Sequence, residues 1–99
     1  MKLKAMLVDD ELPARGELKS LLDEIGGIKV VAECEDGDEV LVLLNNIDID
    51  VVFLDIQMSA KDGLSTAGDI MQLPAPPMIV FSTGYSEFAA KAFDLNAVD

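Results

Sequence analysis

Polar side chains follow three apolar segments of the sequence, each at the point where the segment ends. Asp9 and Asp10 come directly after the first of these segments. Asp55 ends another, and Ser82 and Thr83 follow a third. If the segments are strands of one parallel sheet, these residues lie at its carboxyl edge, where open α/β sheets bind ligands. Because clustered carboxylates repel one another unless a cation is present, the spacing predicts a cation site built on three aspartates.

The residue types in this cluster indicate phosphoryl chemistry. A hard divalent ion with oxygen ligands suits such a site, and Mg²⁺ fits an open arrangement of carboxylates, a carbonyl and waters. The ion would neutralise an incoming phosphoryl group and let a carboxylate attack phosphorus, which gives an aspartyl phosphate. Thr83 could donate its hydroxyl to a phosphoryl oxygen. The alternative is that Asp9 or Asp10 caps a helix near Pro13 and that Asp55 ends a strand by chance.

Apolar segments alternate with helical patterns along the whole chain. The predicted strands are residues 4–8, 29–33, 50–55 and 78–82. The apolar positions at helical spacing are Leu18, Leu21, Leu22 and Ile25; Val40, Leu43, Leu44 and Ile47; Leu64, Ala67 and Met71; and Tyr85, Phe88, Ala89 and Ala92. This alternation predicts an α/β fold with right-handed crossovers. A flavodoxin-like, doubly wound parallel sheet of order 2-1-3-4 would make the first and third strands neighbours.

Local signals support the predicted boundaries of the helices. Pro13 lies near the start of the first helix and Gly26 with Gly27 at its stop. Asp36 can cap the second helix, with Glu39 three residues further on.

Composition restricts the function further. The 99 residues fit one domain, 1–99, and 51% of them are hydrophobic, which is enough for a core. The net charge of −12 argues against direct contact with nucleic acid, which needs clustered Lys and Arg. No apolar run approaches the roughly 20 residues of a membrane helix, so no membrane association is expected. Cys34 is the single cysteine of the chain, which predicts a reducing, cytoplasmic setting.

Three segments of the chain resemble the receiver domains of two-component response regulators. Residues 8–11 are similar to the acidic pair after the family's first strand. Residues 53–58, with Gly63 eight positions after Asp55, resemble its phosphorylation segment, and residues 81–84 resemble the segment after its fourth strand. The resemblance spans the whole chain.

The resemblance implies a role for each site residue. Asp55 would accept a phosphoryl group from a sensor histidine kinase. Mg²⁺ would be bound by Asp10, by Asp55 and by the main-chain carbonyl of Gln57, with Asp9 holding the ion through water. Thr83 would move its hydroxyl toward the phosphoryl group.

The rest of the phosphoryl site shows two departures from the family. The Gly84 N–H would bind a phosphoryl oxygen where the family commonly has Ala, and glycine is small enough to admit a phosphodonor. Ser59 stands at the family's usual Pro, which removes no ligand.

The resemblance also suggests a subfamily and indicates how much of a receiver domain this sequence covers. Residues 10–15 and 85–99 look like receivers joined to LytTR-type DNA-binding domains, which implies a transcription regulator that contacts DNA only through an output domain outside this chain. The family's Lys, aromatic switch residue, fifth strand and fifth helix would follow Asp99. The expectation is therefore a receiver truncated at its C-terminus, whose open sheet edge favours self-association.

Two other functions remain possible from the residues. A haloacid-dehalogenase-type phosphatase also forms an aspartyl phosphate with Mg²⁺, but Gln57 stands where that class has its second acid. A degenerate receiver would act only as a protein-interaction module. The set of Asp9, Asp10, Asp55 and Thr83 favours a phosphoacceptor that is not an enzyme.

Overall fold

The computed structural model describes residues 2–56 and 62–82, which form alternating strands and helices. In chain order they are β1 (Leu3–Val8), α1 (Leu12–Ile25), β2 (Ile28–Cys34), α2 (Gly37–Asn46), β3 (Val51–Leu54), α3 (Gly63–Met71) and β4 (Met78–Phe81). The four strands of this part of the chain are parallel and have the order β2-β1-β3-β4. The predicted fold class and strand order are confirmed. The predicted fourth helix lies outside the described residues.

Glycine and proline set the limits of α1 as predicted. Pro13 lies in the first turn, where its missing N–H costs no hydrogen bond. Gly26 and Gly27 have φ angles of 79° and 80°, a left-handed conformation that favours glycine. Leu22 is buried, whereas Leu21 and Ile25 are exposed, so the apolar positions at helical spacing extend beyond the buried face of α1.

Helices α2 and α3 pack against each other over one face of the sheet, where most of the core lies. The predicted cap is confirmed, because Asp36 Oδ1 accepts a hydrogen bond of 3.1 Å from Glu39 N. Asp62 caps α3 in the same way through Ser65 N, at 2.7 Å, which the sequence did not suggest. The buried residues of this core are Met6, Val8, Cys34, Val40, Val52, Leu54, Ile56, Ala67, Ile70, Ile79 and Phe81.

The buried faces of α2 and α3 differ in part from the spacing predicted. Leu43 and Leu44 pack against the core beside Val40, but Ile47 lies just beyond the last residue of α2. In α3, Ile70 is fully buried, while Met71, one of the apolar positions at helical spacing, is 39% exposed. Because Ile70 lies three residues after the buried Ala67, it continues the same helical face.

Candidate functional site

The register of β1 and β3 determines where the aspartates lie. Val8 and Leu54 are paired at the ends of the two strands, and Asp55 N donates a 2.9 Å hydrogen bond to Val8 O. Asp9 and Asp55 therefore follow neighbouring strands at the same level. Oxygen atoms from the carboxylates of Asp9, Asp10 and Asp55 all lie within 4.8 Å of one another. The structure thus brings together three of the predicted site residues.

The main chain of Asp9 is anchored by β2 and α1. Asp9 N donates to Cys34 O at 3.1 Å, and the Asp9 carbonyl accepts a 2.6 Å hydrogen bond from Arg15 Nη1. The Asp9 carboxylate accepts from Glu11 N at 2.9 Å. The N-cap residue of α1 is Glu11, whose side chain makes no capping bond. The alternative in which Asp9 or Asp10 is the N-cap of this helix is therefore wrong.

Gly63 holds the start of α3 close to the two residues that follow β3. Its N–H donates a 2.7 Å hydrogen bond to the carbonyl of Ile56, which is buried directly after Asp55. A Cβ at position 63 would lie 2.6 Å from Ile56 Cα and would also clash with the carbonyl oxygen of Asp55. Only glycine permits this approach of backbone to backbone, which explains its position eight residues after Asp55.

The acidic cluster fits a hard divalent cation. Its three converging side chains offer carboxylate oxygens, the ligands that Mg²⁺ and Ca²⁺ prefer. Asp9 and Asp55 are partly buried, which strengthens both their mutual repulsion and their attraction for a cation. Ser82 lies next to the end of β3, since its N–H donates a 2.9 Å hydrogen bond to Leu54 O.

Three further site residues of the prediction lie outside the described part of the chain. They are Gln57, Thr83 and Gly84. The roles given to these residues, and the roles of the three aspartates in binding metal and phosphate, stay predictions. Sequence reasoning assigned no role to Arg15, and the only signal available was its position within the segment 10–15, which resembles the LytTR-type receivers.

Cys34 lies beside this site, and its thiol is expected to react slowly. The thiol is buried, and burial together with the carboxylates of Glu39 and Asp36 raises its pKa from 9.0 to about 11. The raised pKa favours the neutral thiol, whereas the thiolate is the nucleophile. Alkylation by iodoacetamide near pH 8 is therefore expected to be at least about a hundredfold slower in the folded protein than in denaturant. Equal rates, measured by mass spectrometry, would contradict this.

Comparison with known families decides the classification of the chain. The family model described as "response regulator receiver domain" matches residues 5–99. The chain belongs to the response regulator receiver family. The resemblance carried by residues 8–11, 53–58 and 81–84 is confirmed at the level of the family.

The curated relatives of this receiver domain are longer regulatory proteins. It is 43% identical over 97 residues to the sensory transduction protein LytR of Staphylococcus haemolyticus, covering 98% of this chain and 38% of that protein. It is 39% identical over 97 residues to the transcriptional regulatory protein LytR of Staphylococcus aureus, covering 98% and 39%. The chain thus spans about two-fifths of the length of these relatives. They agree with the subfamily that the sequence suggested.

Solved receiver structures share the architecture. The response regulatory domain of mrkE from Klebsiella pneumoniae superposes with a TM-score of 0.87 at 37% identity, covering 96% of this chain and 78% of that one. The response regulator TrrA from Thermotoga maritima, crystallised in complex with Mg²⁺ and BeF, gives a TM-score of 0.84 at 33% identity, covering 98% and 82%. In the described part of this chain, no helix combines the length and apolar character that crossing a bilayer requires.

Proposed function

We propose that this receiver domain accepts a phosphoryl group on Asp55 from a sensor histidine kinase. The observation that supports the proposal is the grouping of three carboxylates within 4.8 Å at the carboxyl ends of β1 and β3. Asp10, Asp55 and the Gln57 carbonyl would bind Mg²⁺ directly, and Asp9 would bind it through water. Mass spectrometry after incubation with a small phosphodonor tests this: one phosphoryl group on Asp55 is expected, and modification elsewhere would contradict it.

In the proposed reaction, the protein mainly positions the reacting groups and stabilises their negative charge. An oxygen of the Asp55 carboxylate forms a bond to phosphorus as the bond from phosphorus to the donor nitrogen breaks, and the leaving imidazole takes up a proton. Mg²⁺, when bound, offsets the negative charge of the carboxylates and of the transferred group. The bond from Asp55 N to Val8 O keeps the nucleophile beside β1, and Thr83 would donate its hydroxyl to a phosphoryl oxygen.

The parent protein of this domain is proposed to be a cytoplasmic transcription regulator. The two LytR relatives are named as a sensory transduction protein and a transcriptional regulatory protein, and each is more than twice as long as the matched region. A charge of −12 is unsuited to contact with DNA, so a separate output domain would make that contact. Self-association of the receiver would transmit the phosphorylation signal to that domain, without any enzymatic activity of the receiver itself.

The magnesium site can be tested by neutralising one carboxylate. Asp10→Asn is expected to weaken Mg²⁺ binding by at least about tenfold, since affinity for a hard cation depends on the charge of its ligands. Titration with MgCl₂ followed by NMR measures the dissociation constant. Asp23→Asn, which removes the same charge from an exposed position on α1, is the matched control and should leave the affinity within about twofold. Equal weakening in the two variants would mean that only net charge matters.

A further inference from the structure

Arg15 is a buried cation that contacts the main chain of Asp9, a residue of the acidic cluster. Only 7% of the residue is exposed, and a buried charge is costly unless it is paired and hydrogen-bonded. Its Nε donates to Glu33 Oε1 on β2 at 3.1 Å, and its Nη1 donates to the carbonyl of Asp9 at 2.6 Å. Across residues 2–56 and 62–82, every buried side-chain nitrogen and oxygen atom has a hydrogen-bond partner.

These two contacts connect α1 and β2 to the segment of Asp9 and Asp10. Glu33 belongs to β2 and Arg15 to α1, whereas the carbonyl that Arg15 binds is in the segment that carries both Asp9 and Asp10. The planar guanidinium can hold the Glu33 carboxylate and the Asp9 carbonyl together because its donors are set in a rigid fork. A lysine ammonium on a flexible stem does not reproduce that geometry.

We propose that Arg15 is a positioning residue, which with Glu33 fixes the main chain of Asp9 so that the carboxylates of Asp9 and Asp10 converge on the cation. The inference rests on the proposed function, since it concerns the binding of Mg²⁺ by this cluster. Arg15 itself does not touch the ion or the phosphoryl group. In other metal sites, residues that hydrogen-bond to the metal ligands orient those ligands, and Arg15 has the same role here.

A simple electrostatic role predicts the opposite result. Arg15 is a positive charge in contact with the main chain of Asp9, one of the three aspartates of the cluster, so its removal should by Coulomb's law alone make Mg²⁺ bind more tightly. A role in folding alone predicts a lower melting temperature with unchanged affinity below that temperature. The sign of the change in Mg²⁺ affinity therefore separates positioning from both alternatives.

The test uses Arg15→Met and, as matched control, Lys19→Met. Lys19 lies on the same helix and is the second cation near Glu33, with Nζ 4.0 Å from Oε2, but its side chain is half exposed. The Mg²⁺ dissociation constant of the folded protein is expected to rise about tenfold or more in Arg15→Met and to stay within about twofold in Lys19→Met. The intermediate Arg15→Lys variant, which keeps the charge but loses the fork, should also bind Mg²⁺ more weakly.

A second measurement needs no metal. Amide hydrogen exchange of Glu11, whose N–H donates to the Asp9 carboxylate, should be faster in Arg15→Met than in Lys19→Met without Mg²⁺. Unchanged exchange together with unchanged or tighter Mg²⁺ binding would overturn the proposal. If Arg15→Met does not fold, Arg15→Lys carries the same test, because it keeps the positive charge and an electrostatic role alone then predicts unchanged Mg²⁺ affinity. If the wild type binds no Mg²⁺, the proposed function fails, and the exchange data still decide whether Arg15 holds this turn.

Discussion

Replacing Asp55 by Asn is expected to abolish phosphorylation of this receiver domain by small phosphodonors. An amide has no anionic oxygen to attack phosphorus, and loss of a nucleophile costs a rate factor of roughly a thousandfold or more. The substitution keeps the size of the side chain, so the hydrogen bond from residue 55 N to Val8 O should remain. Mass spectrometry of the intact protein after incubation with acetyl phosphate and Mg²⁺ gives the extent of modification.

The control for Asp55→Asn is Asp48→Asn. Asp48 is an exposed carboxylate that precedes β3, at the opposite end of the sheet from the acidic cluster. This variant should be phosphorylated at the wild-type rate. Modification of the Asp55→Asn protein at the wild-type level would show that the phosphoacceptor lies elsewhere, and peptide mapping would then locate it.

Replacing Gly63 by Ala is expected to destabilise the fold by about 3 kcal/mol or more, which is the upper end of the cost of overpacking. The added Cβ would meet main-chain atoms of Asp55 and Ile56, and a backbone cannot move aside as a flexible side chain can. The main chain of Asp55 and Ile56 must shift, and with it the carboxylate of Asp55. Urea denaturation measures the free energy of unfolding, and Mg²⁺ titration of the folded fraction should show weaker binding.

Gly68→Ala provides the matched control for Gly63→Ala. Gly68 lies inside α3, and a Cβ there would meet no atom within 4 Å. Alanine should therefore stabilise the helix by up to about 1 kcal/mol, because it has the higher helix propensity. Opposite signs for two Gly→Ala substitutions in one helix would establish the close approach at position 63. A loss of less than about 1 kcal/mol for Gly63→Ala would contradict it.

The sequence alone determined the parts of this domain that depend on local pattern. Alternating strand and helix periodicities set the α/β class, because burial on both faces of a parallel strand requires a continuous apolar segment. The positions of Asp9, Asp10 and Asp55 at the ends of those segments predicted that they lie together at the carboxyl edge of the sheet. Asp36 and the pair Gly26 and Gly27 marked helix ends through chemistry that acts within a few residues.

Only the tertiary structure decided which atoms from distant segments approach one another. Arg15 could have been a solvated charge on α1, as most arginines are, until the packing of α1 against β2 placed Glu33 and the Asp9 carbonyl beside it. Gly63 could have been an ordinary loop glycine until the approach of α3 to Ile56 left no space for a Cβ. Ile70 rather than Met71 fills the core because the rotation of α3 about its axis is set by contact with α2 and the sheet. Periodicity gives the width of an apolar face, and packing against a neighbour selects the part of that face that is buried.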